Sequence, residues 1–166
     1  MTMFQLPYHI KPVNGLSPVN VNGLAIGGDR NFVNMENYQS VDILIMCGAM
    51  SSTPAITLQQ AKNVEGNGAK AVAIAEVWQN VVGSSPAPES DQWRRVTVTS
   101  DTFDLAANTN YIIHVRGSML DVTNKFNAIR LAIAAEAGTN LVSAIYLCHQ
   151  ARYKGEGADM PTTAVN

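Results

Sequence analysis

The chain has 166 residues and a mass of 17.8 kDa, enough for one domain with a proper core and too little for two. Charged residues make up 14% of it. An ordinary soluble domain has roughly 25%, so we expect protein contacts to cover much of the surface. The net charge of -2 gives no general attraction to phosphate backbones, which excludes nucleic acid as a direct partner.

The N-terminal segment, residues 1–20, is predicted to be an extended arm. Pro7, Pro12 and Pro18 should prevent both a helix and a strand ladder there. The arm is too apolar for a free tail, so we expect it to lie along a neighbouring subunit. Its start has no signal-peptide pattern, and no later apolar run approaches the roughly 18 residues of a membrane span. We therefore expect synthesis in the cytosol and no membrane partner.

Beyond the arm, apolar and polar residues alternate with a period of two, as in strands with one buried face. Turn-forming sequences separate the alternating segments. One alanine-rich stretch, residues 128–137, could be a helix, but branched apolar residues alternate with small ones there and favour a strand. Eight strands are predicted, at residues 21–26, 41–47, 56–60, 69–78, 93–99, 111–116, 127–134 and 141–149.

These features predict an all-β fold, an antiparallel two-sheet β-sandwich that is jelly-roll-like and has an extended N-terminal arm. The predicted limits are residues 1–20 for the arm, 21–153 for the sandwich and 154–166 for a polar C-terminal tail. Two turns, 66–68 and 138–140, are short enough for hairpins, whereas a jelly roll sends several connections from one sheet to the other. Another Greek-key sandwich therefore stays open as an alternative.

The sequence contains no recognisable catalytic or cofactor-binding set. His9, His114 and His149 fall on the arm and on two strands without paired ligand spacing, so no metal site is predicted. Cys47 and Cys148 lie in apolar alternating stretches, where burial suppresses the reactive thiolate. A disulfide between them is disfavoured in the cytosol. We expect reduced core cysteines and a protein that is not an enzyme and holds no cofactor.

Aromatic and arginine side chains are the remaining candidates for a binding surface. Trp78, Trp93 and Tyr111 could form a platform for sugars, but we favour positions that close the ends of the sandwich core. Strand arginines suit either interface anchors or solvated strand edges, and both interpretations stay open. These arginines are Arg94, Arg95, Arg116, Arg130 and Arg152.

Several segments resemble small accessory capsid proteins of tailed bacteriophages, known as cement or decoration proteins. The similar segments are residues 58–61, 66–71, 121–130, 144–147 and 151–153. The resemblance implies a virion protein on the capsid surface, made in the host cytoplasm, that bridges subunits of the major capsid protein. It also implies association with copies of itself, as a dimer or trimer.

The arm and selected strand residues are the predicted interface with the capsid or with another copy. This predicted interface consists of Phe4, Leu6, Tyr8, Ile10, Arg94, Arg95, Arg152 and Tyr153. Two alternative functions remain, a carbohydrate-binding jelly-roll module and a tail or spike component of a phage.

Overall fold

The computed structural model describes residues 9–23, 32–74, 76–81 and 92–152. Within these ranges it has eleven strands and two short 3₁₀ turns, Gly117–Met119 and Val122–Asn124. The strands are β1 (Ile10–Asn20), β2 (Val33–Asn34), β3 (Tyr38–Met50), β4 (Ala55–Ala61), β5 (Lys70–Ala71), β6 (Glu76–Val81), β7 (Arg94–Thr97), β8 (Thr102–Asp104), β9 (Thr109–Arg116), β10 (Ala128–Ile133) and β11 (Asn140–Ala151).

Two antiparallel sheets form the fold. The larger has six strands in the order β1-β11-β3-β9-β6-β7, and the smaller has the order β2-β10-β4-β5 with β8 also paired to β4. If β5, β6 and β7 are set aside, the sheets read β1-β11-β3-β9 and β2-β10-β4-β8. That is the strand order of an eight-stranded jelly roll. The predicted jelly-roll-like, two-sheet β-sandwich is confirmed.

Strand alternation builds one core between the sheets. Val41, Ile43 and Ile45 on β3 are fully buried and belong to the same apolar cluster as Leu58 on β4 and Ile129 on β10. Because successive strand residues point to opposite faces, the even-numbered residues between them on β3 face away from the core. The alanine-rich stretch at 128–137 contributes β10, so the strand prediction is right there.

A hydrogen bond ties the two sheets together inside the core. The hydroxyl of Tyr146, on β11, accepts from the backbone N–H of Leu131 on β10, at 2.8 Å. Cys47 and Cys148 also lie on the core face and are free thiols, which confirms the prediction of reduced, buried cysteines. Burial raises the pKa of each thiol to about 12.

The expectation that no ladder forms in residues 1–20 is wrong for the described part. Residues 10–20 are β1, which pairs with β11 over most of its length, and Val13 packs in the chain's own core. Prolines are tolerated because β1 is the edge strand of its sheet, where one row of backbone groups needs no strand partner. Gly15 lies at a register shift, where a Cβ would be 2.3 Å from the Tyr146 ring.

Two further sequence predictions need correction. The single strand predicted at residues 69–78 is two strands, β5 and β6, which belong to different sheets. The turn at 138–140 leads from β10 in the smaller sheet to β11 in the larger one, so it is a crossover and not a hairpin. Short strands β2 and β8 and the strand β1 were not predicted. Of the strand predicted at 21–26, residues 21–23 form only an isolated bridge at Asn22, so the prediction is wrong there, and residues 24–26 lie outside the described residues.

Candidate functional site on the outer face of the larger sheet

The face of the larger sheet that points away from the core, here called the outer face, carries an ordered row of side chains. Residues directly opposite each other in antiparallel strands share a face. The ladders align one such row across all six strands. In strand order it consists of Asn14, Ile145, Leu44, Ile112, Trp78 and Arg95, and its four central members are called the apolar row.

Partial exposure makes the apolar row unusual for a sheet face turned to water. Trp78 is 38% exposed, and Met46, which follows Leu44 on the same face of β3, is 39% exposed. Leu44, Ile112 and Ile145 are intermediate in burial. An antiparallel sheet with one solvated face normally alternates apolar and polar residues cleanly. A contiguous, half-exposed apolar band instead marks an interaction surface.

A cluster of Asp42, His114 and His149 lies on the same face, next to the apolar row. Asp42 is two residues from Leu44 on β3, and His114 is two residues from Ile112 on β9. Asp42 and His114 are directly opposite on β3 and β9. His149 on β11 is opposite Ser40, two residues before Asp42 on β3, and therefore lies diagonally across from Asp42 on the same face. Nδ1 of His114 donates to Oδ1 of Asp42 at 2.5 Å. Nε2 of His149 lies 3.1 Å from Oδ2 of Asp42. The three ligand atoms all lie within 4.8 Å of one another.

Neighbouring side chains orient both imidazole rings. The hydroxyl of Ser40 donates to Oε1 of Gln150, so it can accept only from the Nδ1–H of His149, at 3.1 Å. In this arrangement Nδ1 of His149 carries a proton. Nε2 of His149 is buried and has no hydrogen-bond partner, because its contact with Asp42 lacks hydrogen-bond geometry. Arg116 Nε donates to Nε2 of His114 at 3.3 Å.

An arginine-lined groove adjoins the cluster. It has a volume of about 590 Å³, and the described residues that line it supply two guanidinium groups and no carboxylate. Its lining residues are Gln39, Ser40, His114, Arg116, Gly117, Ser118, Gln150 and Arg152. Gln150 has a left-handed backbone (φ 56) within β11, a conformation that disfavours an ordinary side chain. A groove of this charge suits carboxylate groups of a bound partner.

Three of the predicted interface residues lie on or beside the outer face. Ile10 on β1 is directly opposite His149, Arg95 ends the row that contains Trp78, and Arg152 lines the groove. Ile10 and Arg95 are on the two edge strands, about 24 Å apart at the usual strand spacing. They delimit one face and are not neighbours.

The structure does not place the other predicted interface residues on the outer face. Arg94 is exposed on β7, opposite Gln79, and therefore shares the side of the sheet that carries Tyr111 and not the outer face. Four of the predicted residues lie outside the described part of the chain. They are Phe4, Leu6, Tyr8 and Tyr153.

Several aromatic and arginine predictions are corrected by the structure. Trp78 and Trp93 are 38% and 39% exposed, so neither closes the core, whereas Tyr111 is buried as expected. Arg130 is neither an exposed anchor nor a solvated edge residue. It is 7% exposed, its Nε donates to Oε1 of Gln59 at 2.8 Å, and its guanidinium lies 4.5 Å from the Phe32 ring centroid.

Sequence reasoning missed the two features that define this surface. His114 and His149 are 35 residues apart in the chain and on strands separated by β3, so only the sheet order brings them together. The apolar row could have been predicted from the sequence of β3 and β11. Residues 43–46 are apolar at both parities, and so are residues 144–148, a pattern typical of strands covered on both faces.

Among the described residues, no helix is long and apolar enough to cross a bilayer. No protein-family model matches the chain, no curated protein matches its sequence, and no solved structure matches it. The functional interpretation therefore depends on the chemistry of the outer face and on the resemblance of the sequence segments.

Proposed function

We propose that this protein is a non-enzymatic structural protein of a phage virion, which binds the outside of an icosahedral capsid and bridges subunits of the major capsid protein. The apolar row on the outer face is the observation that carries the proposal. Four neighbouring strands contribute to it, and all four side chains are apolar and partly exposed. Burying them against another protein removes apolar surface from water, at about 25 cal/mol per Å².

The outer face is also large enough for a stable protein contact. Six strands at the usual spacing span about 24 Å, and the eight residues of β9 extend about 27 Å. Their product, about 650 Å², is close to the ~800 Å² per partner of a standard interface. Aromatic and arginine residues are enriched at the energetic centres of such interfaces, and Trp78 beside Arg95 matches that composition.

A capsid partner is supported by the low charge of the chain and by the resemblance to decoration proteins of residues 58–61, 66–71, 121–130, 144–147 and 151–153. Arg116 and Arg152 in the groove would pair with carboxylates of the capsid surface. Copies of the chain would associate as a dimer or trimer on the shell. The protein would then be located on the capsid surface of the virion after synthesis in the host cytoplasm.

Cosedimentation with emptied capsids that lack the protein tests the proposal. The wild-type chain should pellet with the capsids. A double variant of the outer face, Met46→Lys with Trp78→Ser, should lose most of that binding, because it inserts a charge and removes the central aromatic side chain. Val122→Lys is the matched control, since Val122 is 61% exposed and lies on a 3₁₀ turn outside the sheets. Equal binding by the double variant and the control would refute the role of the outer face.

A carbohydrate-binding function is the second candidate, and the exposed indole of Trp78 favours it. Trp78 is paired with Ile112 on one side and Arg95 on the other, and a sugar could stack on its partly exposed ring. Glycan-array binding that is lost in Trp78→Ser, with no capsid binding by the wild-type chain, would support this function over the capsid role. Trimers recovered in virion tails would instead support a tail or spike component.

A further inference from the structure

We propose that Asp42, His114 and His149 form a binding site for a divalent transition metal of the zinc class. Two imidazole nitrogens and one carboxylate oxygen converge from β3, β9 and β11, three adjacent strands of one rigid sheet. The side chains are partly exposed, so an ion can reach them from solvent. The metal site does not depend on the proposed virion role.

Distances within the cluster are close to those that a tetrahedral ion requires. Ligand atoms at about 2.0–2.1 Å from zinc stand about 3.3 Å from one another. His149 Nε2 and Asp42 Oδ2 are already 3.1 Å apart. His114 Nδ1 lies 2.5 Å from the other carboxylate oxygen, Oδ1, and one ligand atom from each of the three residues lies within 4.8 Å of the others, so a rotation of the His114 ring brings Nδ1 to the required spacing. The His114 side chain is 31% exposed and has room for that rotation.

The orientation of His149 supplies a separate argument for a cation. Ser40 accepts a hydrogen bond from the Nδ1–H of His149, and the other ring nitrogen, Nε2, is buried beside Asp42 without a hydrogen-bond partner. A carboxylate oxygen, Oδ2 of Asp42, lies 3.1 Å from that nitrogen. Such a pair is stabilised when a positive charge, either a proton on Nε2 or a bound metal ion, is close to both atoms. A hydrogen bond to the non-ligating ring nitrogen is also the usual device that orients a metal-binding histidine.

The donor set selects the class of metal. Imidazole nitrogens suit zinc, copper, nickel and iron, whereas magnesium and calcium prefer oxygen ligands only. Three protein ligands leave a fourth position on a tetrahedral ion for water or for a side chain of a bound partner. Binding through Nδ1 of His114 moves its ring proton to Nε2. Arg116, which now donates to that atom, is exposed and can turn away.

The test is zinc titration of the tag-free, metal-stripped chain by calorimetry, followed by the visible spectrum of the cobalt(II) form. We expect one zinc ion per chain with micromolar or tighter affinity, and cobalt absorption bands of tetrahedral intensity. His149→Gln and Asp42→Asn should each weaken zinc binding by more than about tenfold, because each removes one of three ligands. Ser40→Ala should weaken it about tenfold by releasing the ring of His149.

The third histidine provides the matched control. His9 is not part of the cluster, so His9→Gln should bind zinc like the wild-type chain. Circular dichroism checks that each variant is folded, and the wild-type titration is informative without any variant. Absence of zinc binding by the wild-type chain would overturn the proposal. So would unchanged binding in Asp42→Asn and His149→Gln, or a loss of binding in His9→Gln.

Discussion

The two faces of β3 have similar side chains and opposite surroundings. Val41, Ile43 and Ile45 are fully buried between the sheets, whereas Leu44 and Met46, which alternate with them, are partly exposed on the outer face. The core face meets the second sheet of this chain, so its apolar area stabilises the fold. No strand among the described residues covers the outer face, and we propose that its apolar area contacts a partner. The hydrophobicity of the residues alone does not distinguish a face that packs in the core from a face that contacts a partner.

The largest expected difference between the faces is in stability. Ile43→Ala removes buried side-chain atoms and leaves a cavity, and we expect it to lower the free energy of unfolding by about 2–5 kcal/mol. Leu44→Ala, one residue along the same strand, should lower it by less than about 1 kcal/mol, since part of that side chain stays in water in the folded state. Urea denaturation of both variants measures the difference. Equal losses would mean that the outer face is as much a part of the core as the inner one.

A substitution of Tyr146, on the core face, should have a smaller effect on the free energy of unfolding. Tyr146→Phe keeps the ring but removes the acceptor for the Leu131 N–H, which leaves a buried donor unpaired. We expect a loss of about 1–3 kcal/mol in the free energy of unfolding, with an unchanged denaturant slope. A loss below about 0.5 kcal/mol would show that the bond between the sheets contributes nothing measurable.

Alkaline pH should weaken the core face through its thiols. Burial raises the pKa of Cys47 and Cys148 from 9.0 to about 12, so between these values the unfolded chain has lost protons that the folded chain retains. Stability is therefore highest below pH 9 and falls as the pH rises toward 12. Chemical denaturation at a series of pH values measures the slope. It should be shallower in the double variant Cys47→Ala with Cys148→Ala, and an identical slope would contradict the assignment.

The smallest effect on stability, but a clear effect on association, is expected on the outer face. Met46→Lys should change the free energy of unfolding by no more than about 0.5 kcal/mol, because the lysine stem covers the same surface while its charge reaches water. Self-association of the wild-type chain at micromolar concentrations, measured by light scattering, should weaken in this variant. A wild-type chain that stays monomeric at all concentrations would restrict any assembly to the capsid.

Local patterns account for much of what was predicted correctly. Period-two alternation identified the long strands β3, β9, β10 and β11, because a strand with one buried face needs apolar residues at every second position. The same alternation placed Cys47 and Cys148 on the core face. Short or irregular strands were not predicted correctly, because β2 and β5 have two residues each and β1 contains prolines.

The sequence by itself determined the strand-rich composition, the two-sheet sandwich and the buried thiols, because these follow from the order of apolar and polar residues along single strands. Only the tertiary structure decided which strands are neighbours. It placed β3 between β9 and β11, which brings Asp42, His114 and His149 together and aligns the apolar row. Pairing between distant strands depends on the packing of the whole core, and no local pattern of residues encodes it.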